Sequence, residues 1–346
     1  MKLIKVGIVG LGKMGILHFG ILNSFEDVKV IAVADTEKMI TKFASNVMSD
    51  LKIYESFDQM INSVDLDLIY ITTPVDSHLP LAKKCIEKNL HFFVEKPFSV
   101  SADGCKEVVE NLKKADVKTF VGYYLRFMPT FSRVKKLIDE KILGEIIYVN
   151  SSIYLSQLFK KSGGWRFNKK QSGGGVLLDL GVHLIDLLLW YFGNVESVIG
   201  TTKSFYSGEV EDFVHGSLKF KNNLVVNMDV SWSILHHRLQ ETTIEVHGTN
   251  GMLLVNDDYI KLTLNEPAGG FDSGNTVIYK QSLPDEVSID IGGPEYTKEN
   301  RHFVNCIKNN EKPLVDVIQA IKIQNVVDSI YKTAKSGKVE EVTYLG

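Results

Sequence analysis

The chain has 346 residues, enough for two domains with a sizeable core. Hydrophobic residues make up 44% of it and charged residues 23%, as in soluble globular proteins, and the net charge of −3 argues against a surface for nucleic acid or anionic membrane. The cysteines Cys85, Cys105 and Cys306 lack CxxC spacing, so no disulfide framework or structural zinc site is expected. This cysteine usage fits a reducing, cytoplasmic location.

A glycine-rich turn follows the first predicted strand. The segment KVGIVGLGKMGILHFGIL places a β-branched apolar run before Gly10, Gly12 and Gly15, and apolar residues at helical spacing follow. This order is typical of the strand–turn–helix that binds the pyrophosphate of a dinucleotide. The first glycine permits the tight turn, the second lets backbone N–H groups approach the phosphates, and the third lets the helix pack on the strand. We therefore predict a dinucleotide site here.

The second predicted strand, VKVIAVAD, ends at Asp35, about 20 residues after Gly15, where a ribose-binding acid is expected. A carboxylate there accepts hydrogen bonds from both ribose hydroxyls and repels a 2′-phosphate. No arginine follows within the next several residues. The sequence therefore favours NAD over NADP. The alternative is that Asp35 is only a helix cap or turn residue.

Strands and helices continue to alternate up to about residue 122. One apolar strand ends in TTP (residues 72–74), an amphipathic helix containing His78 follows, and another strand ends in EKP (residues 95–97). Short connections between alternating strands and helices indicate a parallel, doubly wound sheet. Because ligands bind beyond the carboxyl ends of such strands, we expect TTP and EKP to lie on the ligand side with the glycine turn.

Lys96 lies at the end of its predicted strand, directly before Pro97. Apolar neighbours such as Phe92, Val94 and Phe98 would desolvate its ammonium group. Desolvation would lower the pKa of Lys96 toward a range that suits proton transfer. The alternative is an ordinary solvated surface lysine.

The apolar stretch GGGVLLDLGVHLIDLLLW (residues 173–190) contains Asp179, His183 and Asp186. It is long enough to suggest a membrane helix, but two carboxylates and an imidazole argue against that. At spacings of four and three residues, the polar side chains should share one face of a buried helix. Because unpaired buried charges are costly, we interpret this face as functional. A metal site, or a histidine satisfied by the carboxylates within the core, remains an alternative.

Short β-rich runs fill the chain from about residue 145 to residue 290. The turn sequences KNN, GTNG and NDD separate them, which indicates an antiparallel meander with a broad face. The apolar alternation exceeds what the closing helices can cover. We therefore expect a homodimer or a homotetramer.

Taken together, these motifs resemble the Gfo/Idh/MocA oxidoreductases, which include inositol dehydrogenases and several sugar dehydrogenases. The similarity covers nearly the whole chain and lies in GLGKMG, TPVDSH, EKP, RFMPTF, GGWRFN and SGGGVLLDLGVHLIDLLLW. It implies an α/β fold in which residues 1–122 form a Rossmann domain with a doubly wound parallel sheet. Residues 123–346 would form an α+β domain with a large, mainly antiparallel sheet, used for substrate binding and oligomer contacts.

The resemblance also implies hydride transfer between a nicotinamide cofactor and a hydroxyl carbon of a sugar or cyclitol. The implied catalytic residues are Lys96, Asp179 and His183. His183 suits the role of proton acceptor, with Lys96 as the alternative. The predicted cofactor-binding residues are Gly10, Gly12, Lys13, Met14, Gly15, Asp35, Thr72, Thr73, Pro74, His78, Glu95 and Lys96. The predicted substrate-binding residues are Lys96, Tyr124, Arg126, Trp165, Arg166, Asp179 and His183.

Three other functions remain open at the level of sequence. The substrate could be a nucleotide-linked sugar, which would require a diphosphate site. The protein could instead cleave glycosides by oxidation followed by elimination. A non-catalytic, cofactor-sensing regulator is the third, although such a protein would be expected to lack Lys96 or His183. No nucleic acid, membrane or metal ion is expected as a partner.

Overall fold

Fifteen strands and ten α-helices form in the part of the chain that the computed structural model describes, residues 3–47, 51–156, 165–284 and 286–345. The side chains of residues 43–47 and of Trp165 lie outside this description, as do residues 163–164 of the GGW sequence.

The strands are β1 (Ile4–Val9), β2 (Val28–Ala34), β3 (Lys52–Tyr54), β4 (Leu68–Ile71), β5 (His91–Val94), β6 (Thr119–Val121), β7 (Ile146–Tyr154), β8 (Val195–Lys203), β9 (Phe213–Phe220), β10 (Val225–Ser231), β11 (Glu241–Gly248), β12 (Gly251–Val255), β13 (Tyr259–Leu264), β14 (Gly274–Tyr279) and β15 (Glu340–Glu341). The α-helices are α1 (Lys13–Asn23), α2 (Lys38–Val47), α3 (Phe57–Ser63), α4 (His78–Glu87), α5 (Lys106–Leu112), α6 (Pro129–Asp139), α7 (Lys169–Ser172), α8 (Val182–Phe192), α9 (Pro294–Asn309) and α10 (Val317–Ser336). A π-helical turn, Leu177–Gly181, leads directly into α8.

A six-stranded parallel sheet, in the order β3-β2-β1-β4-β5-β6, forms the centre of the first compact unit. All residues of β4 and the last three of β5 are fully buried. Burial on both faces is expected of a parallel sheet whose crossover helices cover it, and it explains the apolar runs in these strands. The predicted doubly wound parallel sheet is confirmed.

The first unit contains more than the N-terminal segment. It comprises Met1–Tyr124, Glu286–Ile321 and the last two residues, so helix α9 belongs to it. Phe303 of α9 packs on Phe120 of β6 with ring centroids 5.5 Å apart, and the Val121 N–H donates to the carbonyl of Val315 (3.1 Å). The compact units therefore differ from the contiguous ranges 1–122 and 123–346, which remain a prediction about independently folding domains.

The second unit, Leu125–Asp285 and Lys322–Tyr344, is built on a nine-stranded sheet. The strand order is β14-β13-β12-β11-β7-β10-β9-β8-β15, and the pair β7–β10 is parallel whereas all the others are antiparallel. The π-helical turn packs against β7 and β10, and α6 packs against β12 and β13. This is the large, mainly antiparallel sheet that the sequence predicted.

One stretch of the described residues, Lys169–Phe192, is long and apolar enough to cross a membrane by length and composition alone. Of its most apolar window, 78% is buried inside the protein. The buried core helices of soluble proteins share this length and composition, and α8 lies among other apolar residues of the second unit.

Candidate active site

The glycine turn between β1 and α1 leaves no space for side chains at two positions. Gly10 has φ +91°, a conformation that favours glycine, and a Cβ on Gly15 would lie 2.0 Å from the Gly10 carbonyl oxygen. At Gly12, by contrast, an added Cβ would meet no atom of the described residues within 4 Å. The first and third glycines are therefore required by the turn itself, and the second leaves an open approach to the backbone.

The N-terminus of α1 suits an anion. No side chain caps the helix at Gly12, and its first turn contains no acidic residue. The first N–H groups of a helix lack intrahelical partners and carry partial positive charge, which favours phosphate. The open space at Gly12 and the uncapped helix end together fit the pyrophosphate of a dinucleotide. Of the neighbouring predicted contacts, Lys13 is exposed and Met14 is half-buried.

Asp35 lies beside this turn at the end of β2. Its carboxylate accepts hydrogen bonds from the N–H of Leu11 (2.7 Å) and the N–H of Glu37 (2.9 Å), and the residue is only half-buried. Since Leu11 lies between the first two glycines, the acid is fixed next to the phosphate-binding backbone. This placement agrees with the predicted ribose contact, while the Glu37 bond shows that Asp35 also acts as a turn residue.

The TTP sequence follows β4 and contacts the glycine turn. The Thr72 hydroxyl lies 2.6 Å from the carbonyl oxygen of Gly10 and 3.0 Å from that of Val9, and its backbone N–H donates to Val9 (2.9 Å). The Ser77 hydroxyl donates to the Thr73 hydroxyl (2.6 Å), and Pro74 is exposed. Thr72 therefore stabilises the glycine turn through bonds to its backbone, whereas Pro74 lies at the surface.

His78 is internal rather than open to a ligand. The residue is 1% exposed, with Nδ1 lying 2.8 Å from the carbonyl oxygen of Pro97 and Nε2 lying 2.7 Å from that of Thr73. The ring therefore joins the loop after β4 to the loop after β5. Burial lowers the pKa of His78, and the two carbonyl oxygens act in the opposite direction. Its contact with the cofactor stays a prediction, since both ring nitrogens already lie at carbonyl oxygens of these loops.

Glu95 is also directed inward. Its Oε1 lies 3.0 Å from Nε2 of His18, and its Oε2 accepts from the backbone N–H of Lys96 (3.2 Å). With a proton on Nε2, His18 donates to Glu95 and accepts at Nδ1 from the Asn300 amide (3.0 Å). Lys96 itself is half-buried at the end of β5, and a cis peptide bond joins it to Pro97. Strand β5 ends at Val94, so Lys96 follows the end of the strand closely, where the sequence predicted it.

Helix α9 supplies residues that sequence analysis did not single out. Glu299 is fully buried, as is Tyr70 of β4, and within the described residues neither the Glu299 carboxyl oxygens nor the Tyr70 hydroxyl has a hydrogen-bond partner. Burial, together with the charge of Glu95, holds the pKa of Glu299 well above its usual range. Tyr296 stacks on Tyr124 with centroids 4.8 Å apart. Glu295 and Glu299 are four residues apart in a polar stretch of α9, so no signal in the sequence indicates that Glu299 is buried.

The second unit holds the remaining predicted residues. Asp179 lies half-buried in the π-helical turn, and its N–H donates to the carbonyl of Gly175 (3.1 Å). His183 lies in the first turn of α8 and is 2% exposed. Wide turns of this kind occur frequently at functional sites. The buried helix that the sequence predicted is present, and it begins with a π-helical turn at Asp179.

Asp186 forms a buried ion pair with Arg126. Arg126 Nε donates to one carboxylate oxygen (2.8 Å) and a terminal nitrogen donates to the other (2.6 Å), while the guanidinium lies 5.1 Å from the Trp190 ring centroid. Burial raises the pKa of Asp186, and Arg126 opposes this shift. Asp186 thus has Arg126 as its partner inside the protein. For Arg126 to contact substrate as predicted, it would have to do so while bonded to Asp186.

The remaining substrate candidates precede the glycine run. Trp165 and Arg166 lie in a 3₁₀ turn, Trp165–Phe167, and Arg166 is exposed. Among the described residues, no group of three or more histidine, cysteine and acidic side chains is arranged to hold a metal ion.

A parallel sheet with this glycine turn, and an acid at the end of its second strand, defines an enzyme that binds a dinucleotide cofactor. A family model described as "Oxidoreductase family, NAD-binding Rossmann fold" matches residues 4–123, and the model "GFO/IDH/MocA C-terminal domain" matches residues 131–254. The chain therefore belongs to the Gfo/Idh/MocA family, as its motifs predicted. It is an oxidoreductase that uses a nicotinamide cofactor.

Named proteins of this family are similar over nearly the full length. Myo-inositol 2-dehydrogenase of Thermotoga maritima is 23% identical over 98% of this chain and 99% of its own length. D-xylose 1-dehydrogenase (NADP(+)) 2 of Haloferax volcanii is also 23% identical, over 97% and 98%. A levoglucosan dehydrogenase structure in complex with NADH and L-sorbose shares the fold, with a TM-score of 0.88 at 20% identity, over 99% of this chain and 100% of that one.

Proposed function

We propose that this protein is an NAD-dependent dehydrogenase that oxidises one secondary hydroxyl of a sugar or cyclitol. Binding of a nicotinamide dinucleotide is supported by the glycine turn. There Gly15 packs against Gly10, while the backbone at Gly12 stays open beside an uncapped helix end. The substrate class is supported by the similar dehydrogenases of inositol and xylose.

Three side chains would handle the substrate. The cofactor, when bound, accepts a hydride from the alcohol carbon, and the protein has to remove the hydroxyl proton. His183 suits the role of base because an imidazole titrates near neutral pH. Lys96 would stabilise the developing alkoxide charge, and Asp179 would bind a neighbouring hydroxyl. The support for these roles is the match to the family motifs, EKP for Lys96 and D-x-x-x-H for Asp179 and His183.

NAD rather than NADP is the proposed cofactor. Asp35 already accepts two backbone N–H groups and would repel a 2′-phosphate brought next to it. We expect kcat/KM to be higher for NAD, and Asp35→Asn to reduce this preference. Glu37→Gln removes an exposed negative charge two residues away and is the matched control. An NADP preference in the wild type would contradict the proposal.

The direct test of the reaction is the formation of NADH by the wild type with a panel of substrates. The panel contains free sugars, cyclitols, nucleotide-linked sugars and glycosides. Net NADH formation with a free sugar or cyclitol supports the proposal. A preference for nucleotide-linked sugars would contradict the proposed substrate class. Cleavage of a glycoside without net NADH formation would contradict the proposed reaction.

We also propose that the protein is a cytoplasmic homodimer or homotetramer associating through the nine-stranded sheet. Several apolar side chains on these strands are exposed in the single chain: Ile199, Val225, Val277 and Tyr279. Exposed apolar side chains on a broad sheet favour association. Light scattering at micromolar concentration would contradict the proposal if it found only monomer.

A further inference from the structure

The start of the π-helical turn is held by one buried carboxylate. Glu211 Oε1 accepts hydrogen bonds from the N–H groups of Gly175 (2.9 Å) and Leu177 (3.1 Å), and from the Tyr331 hydroxyl (2.7 Å). The backbone carbonyl of Glu211 accepts a fourth bond, from the Val176 N–H (2.9 Å). Three consecutive residues, Gly175 to Leu177, are thereby bonded to the side chain or the backbone of Glu211, two to four residues before Asp179.

Glu211 and Tyr331 also leave no space for a side chain at two glycines that precede this turn. A Cβ on Gly174 would lie 2.0 Å from the Tyr331 hydroxyl, and a Cβ on Gly175 would lie 1.9 Å from the Glu211 carbonyl oxygen. Real Cβ atoms essentially never approach other atoms this closely. The glycine run is therefore explained by contact with Glu211 and Tyr331, in addition to any approach of a ligand.

Glu211 Oε1 is the acceptor in all three of its hydrogen bonds. Hydrogen bonds that involve an ionised group are about twice as strong as neutral ones. Burial raises the pKa of the Glu211 carboxyl, and the hydrogen bonds from Tyr331 and the backbone oppose that shift. Removing the acceptor would leave two backbone N–H groups and a hydroxyl without a partner in the interior, which is costly. The chain positions before Asp179 thus have one well-defined arrangement.

We propose that Glu211 and Tyr331 are positioning residues that fix the π-helical turn and, through it, the placement of Asp179 and His183. This inference rests on the proposed function, because those two residues would bind and deprotonate the substrate. The hydrogen bond from the Asp179 N–H to the Gly175 carbonyl passes the constraint along the chain. Neither Glu211 nor Tyr331 would touch the substrate.

The test compares Glu211→Gln and Tyr331→Phe with two matched controls. Glu209→Gln removes an exposed charge two residues away, and Tyr344→Phe removes a tyrosine hydroxyl that donates to Val195 (3.0 Å) in the same unit. Each variant is examined by turnover with the best substrate of the panel, by NAD titration and by hydrogen exchange of residues 173–183. Glutamine keeps one acceptor oxygen but loses the charge, so the protein should remain folded while the three hydrogen bonds to this side chain weaken.

We expect Glu211→Gln to lower kcat/KM for the substrate about 10- to 100-fold, the usual scale for residues that orient a functional group. Tyr331→Phe should lower it less, by roughly 3- to 10-fold, because a smaller share of the contacts is lost. Exchange at residues 173–183 should quicken in both variants, whereas NAD affinity should stay within about twofold of the wild type, since the glycine turn and Asp35 carry that binding. The controls should match the wild type throughout.

Wild-type turnover and exchange separate the two proposals. A wild type that forms no NADH with any substrate overturns the proposed function and with it the catalytic part of this inference. The exchange measurement then still decides whether Glu211 holds the turn. If Glu211→Gln retains wild-type kcat/KM, or exchanges residues 173–183 as slowly as Glu209→Gln does, the positioning role is refuted.

Discussion

The two units hold their predicted site residues in different ways. In the first unit, the turn around Gly10, Gly12 and Gly15 is shaped by backbone contacts, with Thr72 and Asp35 bonded to main-chain atoms. In the second unit, the helix that carries Asp179 and His183 is held by buried charged side chains far apart in sequence. Backbone-built sites should be most sensitive to an added Cβ, and sites held by charges should be most sensitive to loss of one charge.

The largest expected effect is in the second unit, at the Arg126–Asp186 pair. Asp186→Ala leaves the buried guanidinium without its carboxylate, so the free energy of unfolding should fall by about 3–5 kcal/mol. Replacing both residues by apolar ones, Arg126→Met with Asp186→Leu, should recover most of the loss because no charge is then stranded. Urea denaturation measures both. A single variant as stable as the wild type would show that the pair does not hold this helix.

The next effect is in the first unit, where two glycines offer a matched pair. Gly15→Ala places a Cβ 2.0 Å from the Gly10 carbonyl oxygen, so the turn has to shift and stability should fall by about 1–3 kcal/mol. Gly12→Ala meets no protein atom, so its melting temperature should stay near that of the wild type. Both variants should bind NAD more weakly, because the second glycine lets the pyrophosphate approach the backbone. Thermal melts with NAD titration test this. Equal melting temperatures for the two variants would contradict the steric account.

The smallest expected effects are changes of stability with pH, which should have opposite signs for His78 in the first unit and Asp257 in the second. Burial lowers the pKa of His78, so its stabilising contribution is complete above the unfolded pKa of about 6.5 and is lost as the pH falls below it. Burial raises the pKa of Asp257 to about 6, so its contribution is complete at low pH and is lost as the pH rises toward 6.

Melting temperatures of His78→Gln and Asp257→Asn between pH 4 and pH 8, each subtracted from the wild type, should show this contrast. The stability advantage of the wild type over His78→Gln should shrink on acidification, and Asp257→Asn should gain relative to the wild type as the pH rises. Curves that run parallel to the wild type would mean that neither group titrates differently on folding.

The sequence carried the features that depend on a local pattern. The glycine turn, Asp35 at the end of β2 and Lys96 at the end of β5 each follow from a few neighbouring residues, and the structure has them in those places. The alternation of strands and helices with short connections predicted the parallel sheet for the same reason. The family resemblance supplied the roles of Asp179 and His183, which no spacing argument could assign.

Features that depend on tertiary contacts were missed. The spacing of the polar residues predicted a helix through Asp179 but not its π-helical start, where Glu211 and Tyr331 bond to the chain from far away in sequence. Asp186 was grouped with the functional face although its charge is matched by Arg126, 60 positions away. The bonds of the two His78 ring nitrogens to carbonyl oxygens in the first unit likewise had no signal in the sequence.

The central claim is that Lys96 and His183 carry the chemistry while the glycine turn carries cofactor binding. The most direct measurement is the rate of NADH formation by Lys96→Ala and His183→Ala at saturating NAD, with Lys29→Ala and His215→Ala as exposed controls. We predict that kcat falls roughly 10²–10⁴-fold in the first two variants, the usual scale for acid–base groups, and stays unchanged in the controls. Wild-type turnover in either Lys96→Ala or His183→Ala would contradict the account.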